Sequence, residues 1–244
     1  MRRRNLLSSQ RTIPKPSLYF SFNTSEPREI ISNQLLNVNN TALVTYSAGK
    51  LGIAPYFTAN LSGFRRIGWS PDGAKFWDAN GDLPFSFSCW VYKTASNGAG
   101  NNVLFGNFTS GGAGSTAYGI YVLSQTDEVL IYKNDAINGQ RRIQSLSQLA
   151  RNTWNLIIYT DAGIGNEKLY INNVEEAVAI TDMGYVSMKN SNPSGIGIGS
   201  VAISNTSGST MIGGIDDIGA WRNLILTEKD RARIWNSGVG RKLL

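Results

Sequence analysis

The clearest pattern along the chain is an alternation with a period of two. In "PFSFSCWVYK", Phe85, Phe87, Cys89 and Val91 fall on one face, with Trp90 and Tyr92 on the other. Successive strand side chains point to opposite faces, so this run predicts a strand covered on both sides over part of its length. "SLYFSFN" sets Leu18, Phe20 and Phe22 against Ser17, Tyr19 and Ser21, which predicts a half-buried strand. Further candidates follow at short intervals: "NNVLFGNF", "YGIYVL", "EVLIYK", "RRIQSL", "TWNLIIYT", "KLYI", "EEAVAI" and "GIGIGS". Their separators, such as "SNGAGNN", "TSGGAGST" and "DAGIGN", are turn chemistry. In "LYINNVEEAV", Asn172 and Asn173 suit the positive φ of a type I′ hairpin turn.

Two stretches read as helix. "SLSQLARN" predicts one turn before Trp154. "LTEKDRARIWNSG" predicts a longer helix, capped by Thr227 with Asp230 three residues on and stopped by Gly238. Many short strands with regular turns predict an all-β sandwich or barrel. No internal repeat is legible. The organisation reads as a basic extended arm over residues 1–16, ended by Pro14 and Pro16, followed by a β-sandwich over residues 17–244.

Composition agrees with that outline. A length of 244 residues fits one large all-β domain, and 41% hydrophobic with 16% charged residues excludes a disordered chain. The formal charge of +6 is unevenly placed, because Arg2, Arg3, Arg4, Arg11 and Lys15 all precede the first acid, Glu26. The basic character therefore belongs mostly to the arm, and the body is nearly neutral. "MRRRNLLSSQ" lacks the apolar run of a secretory signal, and no stretch reaches transmembrane length.

The chain has no histidine, which removes Ser–His and Cys–His mechanisms and every His-ligated metal site. Its single cysteine, Cys89, forms no internal disulfide and sits in a strand pattern that suits a buried, inert thiol.

In their order, these pieces resemble the laminin G-like modules of the concanavalin A-like lectin and glucanase superfamily. The resemblance rests on "LYFSFN", "GKLGIAPYF", "LPFSFSCWVYK", "NTWNLIIYTD", "KLYINNV", "GIGIGS" and "GGIDDIGAWRNLILTEKDRARIWNSGVG", covering most of residues 17–240. Asn172-Asn173 stands where such modules usually carry Asn-Gly, and the loops between residues 94 and 118 are unusually glycine-rich. The resemblance implies an antiparallel two-sheet jelly roll whose last strand and short C-terminal helix lie beside the first strand. The stretch from Ile215 to Trp221 is then the closing strand. Ile215 and Trp221 against Ile218 and Ala220 implies packing on both of its faces. Asp216 and Asp217, adjacent on a strand, are expected to point to opposite faces and to accept hydrogen bonds in a structural role, as Trp90 and Trp221 are expected to pack.

Glycosidases of the superfamily carry an E-x-D-x-x-E array on one strand, whereas "TDEVLIY" and "VEEAVAI" lack the spacing, so no catalytic residue and no enzyme is expected. Lectin-like relatives grip sugars with loop amides and an aromatic platform. Trp69, Trp77, Asn101, Asn102 and Asn107 are the candidates here, against the plainer reading that the tryptophans pack in the core edge. Asp78, Asn80 and Asp82 have an alternate oxygen spacing that calcium accepts, although "ANGD" also reads as a plain turn, and no other cofactor is indicated. The short arm lacks the aromatic–basic groove of a nucleic-acid binder, and no membrane partner is expected. The expectation is a structural or adhesion protein of a bacteriophage virion, docked onto a capsid or tail neighbour through the arm as part of an oligomeric assembly. The alternative is a carbohydrate-binding, lectin-like protein, and a virion surface module could also grip a host-surface glycan.

Overall fold

The computed structural model describes residues 12–22, 28–31, 33–39, 44–58, 66–69, 84–95, 101–107, 118–135, 139–187, 196–199 and 211–244, with backbone only at 34, 37–39, 66–69 and 107. These residues form eighteen strands. The first nine are β1 (Leu18–Ser21), β2 (Arg28–Glu29), β3 (Gln34–Leu35), β4 (Asn37–Asn39), β5 (Val44–Ala48), β6 (Ile53–Phe57), β7 (Arg66–Trp69), β8 (Phe85–Lys93) and β9 (Asn101–Asn107). The second nine are β10 (Tyr118–Leu123), β11 (Glu128–Asn134), β12 (Gln140–Gln148), β13 (Trp154–Asp161), β14 (Glu167–Ile171), β15 (Val174–Glu175), β16 (Val178–Met183), β17 (Ile196–Ile198) and β18 (Gly213–Arg222). One helix, α1 (Glu228–Trp235), follows.

Two antiparallel sheets stack face to face. A ten-stranded sheet runs β15-β14-β13-β8-β18-β1-β2-β3, with the β5–β6 hairpin attached to β18. The other has eight strands, ordered β16-β12-β11-β10-β9-β17-β7-β4. This is the expected jelly-roll sandwich. The main core lies between the sheets, where Leu18, Phe20, Phe87, Cys89 and Ile157 meet Phe105, Ile120, Ile131 and Ile143. Burial keeps the Cys89 thiol protonated, well above its usual range.

A second apolar layer covers the outer face of the ten-stranded sheet. Tyr19, Trp90, Leu156, Ile158 and Trp221 pack there against Leu226, Ile234 and Leu243 of the C-terminal segment and against Ile13. That is why β8 turns apolar on both parities after Ser86 and Ser88: Phe85, Phe87, Cys89 and Val91 meet the main core, and Trp90 meets the outer layer. Trp90 also stacks on Trp235, with ring centroids 5.6 Å apart. The root of the arm belongs to this layer, since the Trp221 indole donates to the Pro14 carbonyl at 2.7 Å.

Local signals are realised closely. Asn172 and Asn173 both adopt positive φ, 52° and 65°, in the β14–β15 hairpin. Thr227 and Asp230 form a reciprocal capping box on α1. The helix ends earlier than Gly238 suggested, at Asn236 in the left-handed region, followed by one 3-10 turn. The predicted turn in "SLSQLARN" is not helical: β12 runs on to Gln148. Its polar residues follow the period of two, with Ser145 turned inward, where its Oγ accepts from Val129 N–H at 2.9 Å and donates to the Ser147 carbonyl. A local propensity gives way to a cross-strand partner.

The closing strand also departs from expectation. Between Asp216 and Gly219 the β8–β18 register shifts, and Asp217 takes φ 49°. This bulge places one extra residue on β18. Ile215, Ile218 and Ala220 therefore all face the main core, and Trp221 alone of the four joins the outer layer. Asp216 and Asp217 consequently share the outer face instead of diverging.

Gly219 keeps that face shallow. A Cβ built on it would lie 2.2 Å from Leu243 Cδ1 and 2.8 Å from Trp221 Cη2, so the tail seats only over a residue without a side chain. Gly219→Ala is expected to push Leu243 out and cost about 1–3 kcal/mol in urea unfolding, the usual range for overpacking. An unchanged midpoint would mean that the tail is not seated there.

Candidate functional site

The outer face of the eight-stranded sheet carries a separate apolar cluster. On β10 and β11, Tyr118, Ile120, Val129 and Ile131 point into the core, so Tyr121, Leu130 and Tyr132 take the opposite face. Cross-strand register gathers them: Tyr121 pairs with Leu130 and Val103, Leu130 with Gln144, and Tyr132 with Arg142. A cavity of about 340 Å³ opens here, lined by Asn101, Tyr121, Leu130, Tyr132 and Arg142. Burial, with Tyr132 close by, holds the Tyr121 hydroxyl protonated far above the usual tyrosine range. The exposed Arg142 guanidinium lies 5.3 Å from the Tyr132 ring centroid, a cation–π distance that orders the ring and leaves hydrogen-bond donors at the rim. Gln144 donates to Glu128 at 2.7 Å, placing an amide and a carboxylate beside the same patch.

Beyond Tyr132 the register continues through Gly119, Gly106, Gly197 and Gly68 on four adjacent strands. Glycine inside a strand marks a place where another backbone or a ligand approaches closely. Together, the features on this face are an aromatic–aliphatic floor, amides and a guanidinium at one margin, and a strip of sheet without side chains.

Of the residues singled out in the sequence, Asn101 lines this cavity. Asn102 does not: it is fully buried, and its amide donates to the Val122 carbonyl at 3.1 Å, so it faces no ligand. Trp69 lies on β7 opposite Ile196 rather than in a loop, and Asn107 ends β9. Trp77, Asp78, Asn80 and Asp82 lie outside the described residues, as do Arg2, Arg3, Arg4 and Arg11. Lys15 is described and exposed. The sequence reading missed Tyr121, Tyr132 and Arg142, because each sits in an ordinary strand alternation and only the register brings them together.

Asp216 and Asp217 are buried and hydrogen-bonded within the fold. Asp216 Oδ2 accepts from Leu51 N–H at 2.8 Å, and Asp217 Oδ1 accepts from the Tyr19 hydroxyl at 2.5 Å. Burial raises both carboxyls; for Asp217, with the added charge of Asp216 and against the Tyr19 hydrogen bond, the value reaches about 7. Other acids are tied up between the sheets. Lys133, fully buried, reaches from β11 to Asp161 at 2.7 Å and Glu167 at 3.4 Å. Arg141 grips Glu167 at 2.5 Å and Asp182 at 2.6 Å. Lys93, on the other sheet, bonds to Asp127, which Arg151 also holds at 2.6 Å. Among the described residues no group of three or more acids or thiols is arranged to hold a metal ion. No helix of the described residues is long and apolar enough to cross a membrane.

Comparison with known proteins places this arrangement. The family model described as the concanavalin A-like lectin/glucanases superfamily (Laminin_G_3) matches residues 71–229. No curated protein matches the sequence. Among solved structures, domain 4 of AbnA, an extracellular GH43 arabinanase from Geobacillus stearothermophilus solved with arabinotriose, superposes with a TM-score of 0.63 at 15% identity, over 93% of this chain and 98% of that one. The botulinum neurotoxin serotype G binding domain gives 0.65 at 14% identity, and the binding domain of Paraclostridial Mosquitocidal Protein 1 gives 0.63 at 14%. This chain is covered to 91% and 92% in those two matches but spans only 51% and 52% of the toxin domains. At such identities the likeness is one of fold.

Proposed function

Because the chain belongs to the concanavalin A-like lectin/glucanases superfamily, we propose that it is a non-enzymatic carbohydrate-binding module whose ligand lies on the Tyr121–Leu130–Tyr132 face. The observation that carries this reading is the cavity itself, where two tyrosines and a leucine form an apolar floor beside the Asn101 amide and the Arg142 guanidinium. A sugar ring offers an apolar C–H face and a rim of hydroxyls, and those two kinds of surface answer it. Similarity to an arabinanase domain solved with arabinotriose supports the same class of ligand.

The position of the acids supports the non-enzymatic part of this reading. Glycoside hydrolysis needs two carboxyl groups flanking one bond, and among the described residues none lines this cavity. Glu128, the nearest acid at its margin, already accepts from Gln144 and Thr126. A second reading, attachment to a larger assembly such as a virion, draws on the fixed arm root: Ile13 is buried and Pro14 is bonded to Trp221.

The test is a glycan array that includes arabino-oligosaccharides, followed by titration of the best ligand. Tyr132→Ala is expected to weaken binding about tenfold, which corresponds to about 1.4 kcal/mol. Its melting temperature should hold, since the ring is half-exposed. An array without hits, or a variant with undiminished affinity, would refute the assignment.

A further inference from the structure

The opposite face of the sandwich holds a cavity of about 500 Å³ where the two ends of the described chain meet. Thr12, Ile13 and Lys15 form one wall, and Arg241, Lys242, Leu243 and Leu244 form the other. Residues 12–17 lead into β1, which pairs with β18, and the chain after β18 returns through α1 so that Leu243 lies over Gly219 of that strand. Ile13 and Leu243 are buried in the outer layer and make an apolar base. Lys15, Arg241 and Lys242 are exposed around it.

Positive charge along the sequence is concentrated at both ends, not at the first alone. Residues 1–25 contain five basic residues and no acid, and residues 231–244 contain four and no acid. The 205 residues between them hold 14 basic and 17 acidic side chains, so the body between the two ends is net negative. Among the described residues no ion pair joins Lys15, Arg241 or Lys242 to a carboxylate. Arg231 and Arg233 are already engaged, over the Tyr170 ring and with Asp230. Lys242 feels Asp216 and Asp217 from beneath, but burial raises both of those carboxyls.

We propose that this cavity is a docking site for an acidic peptide segment of a partner protein. Three exposed cations around an aliphatic base match alternating carboxylates and aliphatic side chains. Exposed Val239 and Leu244 extend the apolar surface along the same tail. Among the described residues no aromatic ring lines the cavity, so they offer no platform for a nucleobase, which separates it from a single-stranded nucleic-acid site. The site is independent of the glycan face and lies on the other sheet, so the module can be held by one surface while presenting the other.

Fluorescence anisotropy of the full chain tests this, with a labelled peptide alternating glutamate and leucine and, in parallel, a labelled single-stranded oligonucleotide of equal net charge. The peptide is expected to bind at low ionic strength and to weaken as salt rises. The combined variant Lys15→Glu, Arg241→Glu and Lys242→Glu is expected to lose about tenfold or more in affinity. Arg241→Gln alone, at an exposed position that leaves the fold undisturbed, should shift affinity in the same direction. Replacing Arg2, Arg3, Arg4 and Arg11 with alanine should cost less than the combined cavity variant. No peptide binding, equal or tighter oligonucleotide binding, an unaffected cavity variant, or a larger loss in the arm variant would each overturn the proposal.

Discussion

Replacing Lys133 with methionine is expected to destabilise the protein by about 3–5 kcal/mol, the usual cost of removing one partner from a buried ion pair. The ammonium has no solvent exposure, and it crosses from the eight-stranded sheet to Asp161 and Glu167 on the ten-stranded one. Taking it away leaves Asp161 with only the Tyr159 hydroxyl at 3.1 Å and Gly163 N–H at 3.0 Å, while Glu167 keeps Arg141. Asp161 therefore bears most of the loss. Adding Asp161→Asn to the methionine variant should recover part of it, because the stranded charge is then gone. Urea unfolding of wild type, both single variants and the double variant checks this. Additive effects of the two substitutions would show that the bridge contributes no coupling between the sheets.

The second large effect depends on pH. Asp217 is buried under the C-terminal tail, faced by Tyr19 of β1, its neighbour Asp216 and Lys242, and its carboxyl is raised from 3.8 to about 7. Between those values the unfolded chain releases this proton while the folded protein keeps it. The folded state binds more protons, so stability falls as pH rises through that interval and levels off above it. A shift of that size corresponds to a few kcal/mol, about 1.4 per pKa unit. Asp127, Glu167 and Asp182 act in the opposite sense: against the upward push of burial, Arg151 and Lys93 lower Asp127, Arg141 and Lys133 lower Glu167, and the Tyr185 N–H with Arg141 lowers Asp182, so their contribution is lost in acid. The stability maximum is therefore expected in mildly acidic solution. Asp217→Asn preserves an acceptor for Tyr19 and should remove most of the decline between pH 4 and 7 (the interval set by the shift). A variant with the wild-type slope would assign the decline to another group.

How far the sequence carries the structure depends on the range of the interaction. Alternation in β8, the Asn172-Asn173 turn and the Thr227–Asp230 box are set by neighbours a few residues apart, and each is realised. The bulge at Asp217 is different: its partners Tyr19 and Leu51 lie 198 residues from Asp217 and 165 from Asp216, and no local pattern encodes them. "SLSQLARN" misled for the same reason, because Ser145 is held by Val129 across a strand pair. Lys93 and Lys133 look like ordinary strand-end cations in one dimension; only the packing of the sheets shows that both are buried. The proposed ligand face was not legible in place. Loop tryptophans and asparagines drew attention, whereas Tyr121, Tyr132 and Arg142 are assembled by register on three adjacent strands. Asn101 alone links the two views.

The proposed picture is of a binding module. A neutral-to-acidic sandwich carries an aromatic patch on one sheet, and Lys15, Arg241 and Lys242 lie exposed over the other. Buried ion pairs tie the two sheets together. The most direct test is a crystal structure of the full chain with the oligosaccharide that ranks highest on the array. The account predicts a sugar ring over Tyr132, with hydroxyls in reach of Asn101 and Arg142. An intact ligand seated elsewhere, or one cleaved beside a pair of carboxylates, would contradict it.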